Sequence, residues 1–167
     1  PQNLLLFGNG ETASPLSTPQ EPGRAAGFAH GHPGKEPRDA RRISWEAREM
    51  RKSLKMLATD IREKARICYG RQDATGIAKA LATDGTLSMV LYRLMQGSRD
   101  VGAAPLEMVF NKLNSALGNC IIGRGADFGP GFILFHSNGV VINGKVKGGA
   151  NIHLHHEVTI GDNEHGE

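Results

Sequence analysis

His136 is the side chain in this sequence whose type and setting best suit chemistry. It interrupts the apolar pattern of FILFHSNGVVING, residues 132–144, and a polar Ser137-Asn138-Gly139 turn follows it. An imidazole has an unperturbed pKa near ~6.5, so it can take a proton from a weak nucleophile and return it to a leaving group at neutral pH. The residue alone allows two interpretations: a general base, or a polar side chain tolerated on a repetitive scaffold.

A second group of histidines lies in the segment HLHHE, which begins at His153. If Ile152 and Leu154 point inward, His153 and His155 share the outward face, and His156 lies in the turn that follows. Two histidines on one face can bind zinc. We interpret these three as surface or interface histidines and expect no metal.

The segment that must position these histidines repeats every six residues. Short strands that turn alternate side chains inward, joined by turns rich in Gly, Asn or Asp, give this period. Three six-residue units close one triangular coil, and stacked coils bury the repeated apolar side chains between parallel strands. The pattern therefore predicts a parallel β-helix with coils of eighteen residues. Seven apolar residues follow the period without a break: Ile122, Phe128, Leu134, Val140, Val146, Ile152 and Val158.

Residues 44–118 carry the spacings of three and four that are typical of amphipathic helices. Ser44 is a suitable N-cap for the first helix, and Gly70 ends it. By themselves, these helices indicate no activity. Three shorter helices are expected at 75–83, from Leu87 to Gly97, and from Pro105 to Gly118.

The two ends of the chain differ from these regions. Residues 1–43 are rich in Pro and Gly, and we expect them to be disordered. The repeats stop at Glu167 on a polar tail, and we expect the natural chain to continue beyond it. The sequence thus predicts the α + β class: a disordered segment at 1–43, an α-helical region at 44–118 and the start of an incomplete β-helix at 119–167.

Residues 75–163 contain three stretches that match the motifs of one known family. The stretch IG-x-G-x-x-x-x-H-x-x-G-x-V-[IV] is matched by Phe128 in place of Ile, followed by Gly129, Gly131, His136, Gly139, Val141 and Ile142. The segment VTLGG is matched by Val158-Thr159-Ile160-Gly161, with Asp162 in place of the second Gly, and a helical YR by Tyr92-Arg93. On these motifs, the chain resembles serine O-acetyltransferases and their close homologues. The resemblance implies a left-handed β-helix and the activity of an acyltransferase.

This resemblance implies acetyl transfer from acetyl-CoA to a hydroxyl group, with His136 as the general base. Serine is the leading acceptor, a sugar hydroxyl is the alternative, and a non-catalytic scaffold is the third possibility. The family also implies a homotrimer or a dimer of trimers, with CoA in a groove between subunits. The residues expected to contact the acceptor are Asn138 and Gly139, and those expected to contact CoA are Lys145, Gly148, Gly149 and Gly161.

Two positions that have roles in the family's active site depart from the family pattern. The aspartate that orients the catalytic histidine lies fifteen residues before it in the family, where this chain has Ile121. The acid that usually precedes the histidine is replaced by Phe135. Both changes favour the sugar alternative, and they leave the group that orients His136 open between Asp127, Glu157 and a backbone carbonyl. Asp84, between two helices, is a candidate substrate-binding acid.

Composition excludes several other classes of protein. The net charge of +3 arises from residues 35–71, which hold 12 Lys and Arg against 6 Asp and Glu, and we assign them to a solvated helix face rather than to nucleic-acid binding. Cys68 and Cys120 form no disulfide framework, so we expect a cytoplasmic protein. No apolar run approaches the ~20 residues of a membrane span.

Overall fold

The computed structural model describes residues 38–161. Within this range, α-helices precede short parallel strands, so the chain has the predicted α + β class. The helices are α1 (Arg38–Tyr69), α2 (Ala74–Leu81), α3 (Thr86–Asp100) and α4 (Ala104–Gly118). The strands are β1 (Cys120–Ile122), β2 (Asp127–Phe128), β3 (Ile133–Leu134), β4 (Val140–Ile142), β5 (Lys147–Gly148), β6 (His153–Leu154) and β7 (Thr159–Ile160).

The strands form three small parallel sheets, ordered β1-β4-β7, β2-β5 and β3-β6. Each of the strands β1 to β4 therefore pairs with the strand three places later in the chain. The chain passes through three strands and then stacks on itself, which is what a six-residue repeat of strand and turn requires. We call residues 120–160 the repeat region and one passage through three strands a coil.

The first coil is longer than the predicted eighteen residues. Cys120 pairs with Val140 and Ile133 with His153, so twenty residues separate stacked positions. The expected spacing of eighteen returns only at the next pair, Val141 with Thr159. The prediction that every coil has eighteen residues is therefore wrong for the first coil, which carries two additional residues.

The apolar core joins α3 to the repeat region. Met89, Tyr92 and Met95 of α3 are buried against the first coil, where the Phe128 and Phe132 rings stack with centroids 4.4 Å apart. The Phe128 ring occupies the space above β5. A Cβ on Gly148 would lie 2.2 Å from Phe128 Cδ1, so this position requires glycine.

Buried polar groups also fasten the helices to the repeat region. Arg93 of α3 pairs with Asp60 of α1 through Nε and Oδ2 at 2.7 Å, and the side chains are 1% and 0% exposed. The guanidinium donates to the carbonyls of Phe128 and Gly129, at 2.7 and 2.6 Å. Asp60 Oδ1 accepts from the backbone N–H of Gly131 at 2.7 Å. We call this buried pair and its contacts the Arg93 bracket.

Helix α1 begins at Arg38, six residues before the predicted N-cap. Ser44 lies inside the helix, where its Oγ donates to the Arg41 carbonyl at 2.8 Å. The boundary predicted at residue 43 is therefore wrong for residues 38–43, which are helical, and residues 1–37 lie outside the described part of the chain. The predicted end of α1 is confirmed, since Gly70 adopts φ 66° directly after it.

Two other helices differ from prediction for reasons of packing. Helix α3 continues through Gly97, its predicted end, to Asp100. A Cβ at Gly97 would lie only 3.1 Å from Met50 and Ser53 of α1, so this glycine permits close packing of the two helices and does not end α3. In α4, the polar residues Glu107 and Asn114 are buried. The apolar stripe predicted to be buried there is largely exposed at Leu106, Val109 and Leu113.

Within residues 38–161, none of the helices combines the length and hydropathy that a membrane crossing needs.

Candidate active site

His136 lies in the connection between β3 and β4, which holds the two additional residues of the first coil. This connection comprises residues 135–139, whereas the matching connection one coil later comprises 155–157, because the register aligns Val141 with Thr159. We call residues 135–139 the His136 corner.

Hydrogen bonds locate the two additional residues within this corner. Phe135 N–H donates to the Leu154 carbonyl at 2.9 Å, as in regular parallel pairing. Glu157 N–H donates to the Asn138 carbonyl at 2.9 Å, which restores the pairing at the other end. Between these two bonds, residues 136–138 lie opposite the single residue His156. The imidazole therefore belongs to the three-residue segment in which the chain leaves regular stacking.

The far end of the His136 corner is held in place by its neighbours. Gly139 adopts φ 70°, and Asn119 and Glu157, at the same edge of the repeat region, also have positive φ of 45° and 58°. Gly139 N–H donates to the Asn119 carbonyl at 3.0 Å, and the Asn119 side-chain amide donates to Asn138 Oδ1. Asn138 thus has a fixed side chain beside His136, whereas Gly139 serves the turn.

The carboxylate nearest to His136 comes from the helical region. Asp84 Oδ2 lies 3.4 Å from His136 Nδ1, and the two side chains are 81% and 54% exposed. This separation exceeds the ~2.7–3.2 Å of a well-formed N–H···O bond. Contacts of this kind commonly tighten when substrate binds. Asp84 therefore stands where a partner for the imidazole is needed, although the sequence suggested it only as a substrate-binding acid.

The loop that carries Asp84 is seated directly on the end of β3. Gly85 adopts φ 77°, and a Cβ there would lie 2.4 Å from the Leu134 carbonyl oxygen. Only glycine combines this backbone conformation with so close an approach. Leu134 precedes His136 by two residues, so the contact places the acid and the imidazole on adjoining segments.

Lys64 of α1 holds the same two segments from inside. Its side chain is fully buried. Nζ donates to the Leu134 carbonyl at 2.8 Å, to Thr86 Oγ1 at 2.9 Å and to the Asp84 carbonyl. Burial lowers the pKa of Lys64 to about 8, and the nearby Cys68 and Asp84 oppose this shift. We call this lysine and its three acceptors the Lys64 bracket.

An open cleft of about 800 Å³ brings these residues together. His136, Ser137 and Asn138 form one wall and the loop carrying Asp84 forms another. The His156 ring reaches the same cleft, 6.1 Å from the His136 ring and nearly perpendicular to it. Apolar side chains complete the lining: Leu81, Leu87 and Leu117. The cleft can admit a small polar molecule next to the imidazole.

The geometry defines what the imidazole can do. A carboxylate facing Nδ1 favours the tautomer with the proton on Nδ1, which leaves Nε2 as the basic nitrogen. The carboxylate also stabilises the imidazolium that forms when Nε2 takes up a proton. Since His136 is more than half exposed, this nitrogen is accessible to a molecule in the cleft.

The residues predicted to contact CoA are not part of this cleft. Gly148 packs over Phe128 and borders a separate groove with Trp45. Gly149 and Gly161 lie in exposed positions with open space beside them. Lys145 is exposed in a turn, where its backbone N–H donates to Asn143 Oδ1 at 2.8 Å.

The other two carboxylates considered as partners of His136 make no ion pair with it. Asp127 Oδ1 accepts from the Gln96 side-chain amide at 2.6 Å, within the α3 contact. Glu157 follows the next coil, with its backbone bonded to Asn138. Ile121, at the family's aspartate position, is 51% exposed on β1. Among these three carboxylates, Asp84 is the one within 4 Å of the His136 ring.

Sequence reasoning missed Lys64 and Asp60 because both belong to a basic segment that was assigned to solvent. They are spaced by four residues on α1, as in an exposed helical ion pair, yet each is fully buried. The signal available for Asp84 was the Asp84-Gly85 dipeptide, which marks a turn and permits the close approach to β3.

Comparison of the chain with models of known protein families and with curated protein sequences found no match.

Proposed function

We propose that the chain is an acetyl-CoA-dependent O-acetyltransferase in which His136 is the general base. One observation carries the proposal: an accessible imidazole at the wall of a cleft has a carboxylate 3.4 Å from its Nδ1. The resemblance of the surrounding residues to serine O-acetyltransferases supports acyl transfer as the chemistry. The same resemblance supports a left-handed β-helix for the repeat region and assembly into a homotrimer or dimer of trimers. The two free cysteines, Cys68 and Cys120, support a cytoplasmic location.

In the proposed reaction, the acceptor hydroxyl lies in the cleft beside Nε2 of His136. As the hydroxyl oxygen attacks the thioester carbonyl, its proton moves to Nε2 and a tetrahedral oxyanion forms. The oxyanion then collapses, the carbon–sulfur bond breaks, and the proton passes from Nε2 to the CoA thiolate. Asp84 holds the Nδ1 proton throughout and stabilises the intermediate imidazolium.

We propose that the phosphate end of acetyl-CoA lies outside the cleft, along the turns of the repeat region. Lys145 offers a cation for CoA phosphates, and the exposed turns at Gly149 and Gly161 offer backbone N–H groups. We assign Gly148 a structural role, because its packing against Phe128 accounts for it. Asn138 is the proposed acceptor-binding residue beside the imidazole.

Serine is the leading acceptor, and a sugar hydroxyl is the second candidate. The specific observation that favours a sugar is the stacking of Phe135 on His155, with ring centroids 4.6 Å apart, where the family has an acid for the amino-acid substrate. The loss of that acid removes a charged partner for the amino group of a zwitterion, which a neutral sugar does not need.

Release of free CoA, measured with a thiol reagent, distinguishes these candidates. The protein is given acetyl-CoA with L-serine and, separately, with sugar nucleotides that carry free hydroxyls. We expect acceptor-dependent release with serine, and preferential release with a sugar would select the alternative. If no acceptor stimulates release and acetyl-CoA does not bind in calorimetry, the chain is a scaffold and the proposal is wrong.

A further inference from the structure

Lys64 bridges the two segments that carry the proposed imidazole and its acid. Its ammonium contacts the Leu134 carbonyl, two residues before His136, and the carbonyl of Asp84 itself. Thr86 Oγ1 accepts the third bond and in turn donates to the Ala80 carbonyl at 2.7 Å. All three protons of one ammonium are therefore used on acceptors beneath the candidate active site.

Burial of this lysine opposes folding at neutral pH. Its pKa falls from the usual 10.5 to about 8 because burial disfavours the charged form, so the folded protein holds the ammonium less favourably than the unfolded chain does. An apolar side chain of similar length would avoid this cost. A buried ammonium whose protonation is disfavoured by folding, and whose contacts converge on one site, is better explained by what it does for that site.

We propose that Lys64 is a positioning residue that fixes the Asp84 carboxylate against His136 by clamping the α2–α3 loop to the end of β3. The inference rests on the proposed function for its purpose, since it concerns the same imidazole. The physical reason is geometric. The Asp84 side chain is 81% exposed, so few neighbouring atoms restrain it. The position of its backbone therefore determines where the carboxylate lies.

The tautomer of His136 reports this positioning without any assay of activity. Nitrogen-15 NMR of the imidazole shows which ring nitrogen carries the proton, and replacement of His136 by Gln assigns its signals. In the unaltered protein we expect the Nδ1–H form to predominate. In Lys64→Met, the loop is released and the ring should change to the Nε2–H form that a free imidazole favours in water. Asp84→Asn should do the same.

Combining the two substitutions sharpens the test. Because both act through one contact, the double variant Lys64→Met/Asp84→Asn should have the tautomer populations of Asp84→Asn alone. The matched control is Lys55→Met, which removes an exposed lysine from the same helix and should leave the unaltered tautomer. An unaltered Nδ1–H tautomer in folded Lys64→Met would overturn the proposal.

A milder variant covers the case in which Lys64→Met does not fold. Thr86→Val removes one of the three acceptors while conserving the shape of the side chain, and it should produce a partial shift toward Nε2–H. A complete lack of shift in Thr86→Val would then count against the proposal. If the tautomers respond as expected but no acceptor is acetylated, the proposed function fails and the positioning role stands. If acetyl transfer occurs with unresponsive tautomers, the positioning role fails alone.

Discussion

Two buried cations join the helices to the repeat region, and their surroundings differ in kind. The Arg93 bracket neutralises its guanidinium with the Asp60 carboxylate, which backbone N–H groups also satisfy. In the Lys64 bracket, the hydrogen-bond acceptors of the ammonium are two carbonyls and a hydroxyl, while the nearby Asp84 carboxylate is exposed and directed at His136.

This difference indicates that the two brackets contribute differently to the stability of the fold and to the candidate site. A buried charge that is paired and fully hydrogen-bonded becomes a strong structural tie, because removing one partner strands the other. A buried charge with only neutral acceptors also holds segments in place, but burial disfavours its charged form and lowers the pKa of an ammonium. The Arg93 bracket therefore secures the fold, and the Lys64 bracket arranges the candidate site.

The largest effect is expected from breaking the Arg93 bracket. Arg93→Met leaves the Asp60 carboxylate buried without its cation, and we expect the free energy of unfolding in urea to fall by about 3–5 kcal/mol. The matched control is Arg66→Met, whose guanidinium pairs with Glu63 at the surface of α1. That exposed pair should contribute less than about 1 kcal/mol. Equal losses in the two variants would contradict the distinction.

A smaller effect of opposite sign is expected from Lys64. Between pH 8 and 10.5 the unfolded chain keeps a proton on this lysine that the folded protein releases, so the free energy of unfolding should rise with pH across this window. Relative to Lys64→Met, the unaltered protein should gain on the order of 1–3 kcal/mol between these limits. Urea unfolding of both proteins at several pH values gives the difference between their free energies of unfolding. The contributions of groups that titrate alike in the two proteins cancel in this difference. A flat difference would show that Lys64 titrates normally.

The smallest effect on stability is expected at Asp84, the exposed end of the Lys64 bracket. Asp84→Asn should leave the free energy of unfolding unchanged within about 0.5 kcal/mol, as for surface substitutions in general. The rate of acetyl transfer should nevertheless fall, by up to about 10⁴-fold, the loss found when the acid that orients a catalytic imidazole becomes an amide. Asp127→Asn, at a carboxylate bonded to α3, is the matched control and should retain the rate. A rate that survives Asp84→Asn would remove Asp84 from the site.

Much of the fold was accessible from the sequence, because it depends on local signals. Gly70 ends α1 and Pro105 opens α4 as predicted, and the six-residue period gives the parallel strands. The two additional residues of the first coil were not visible for a physical reason. Alternate side chains of a strand point inward, so an insertion of two residues preserves the apolar pattern while it shifts the pairing from eighteen to twenty.

Only some residues of the candidate site could be predicted from the sequence. His136 was identified from its motif, but the approach of Asp84 depends on the α2–α3 loop meeting β3, a contact between segments fifty residues apart. Lys64 and Asp60 were hidden by their charge, since charged residues are assigned to solvent unless a partner is known. No local pattern in α1 indicates that its buried side chains would be polar.

Comparison of the two histidines in the cleft tests the central claim most directly. His136 and His156 lie 6.1 Å apart between ring centroids, and His136 has the Asp84 carboxylate at Nδ1. CoA release is measured for the unaltered protein, His136→Gln and His156→Gln with the same acceptor. We predict that His136→Gln lowers the rate by roughly 10²–10⁴-fold, the usual contribution of a general base, while His156→Gln keeps most of the activity. Retention of the full rate in a folded His136→Gln variant would contradict the assignment of the base.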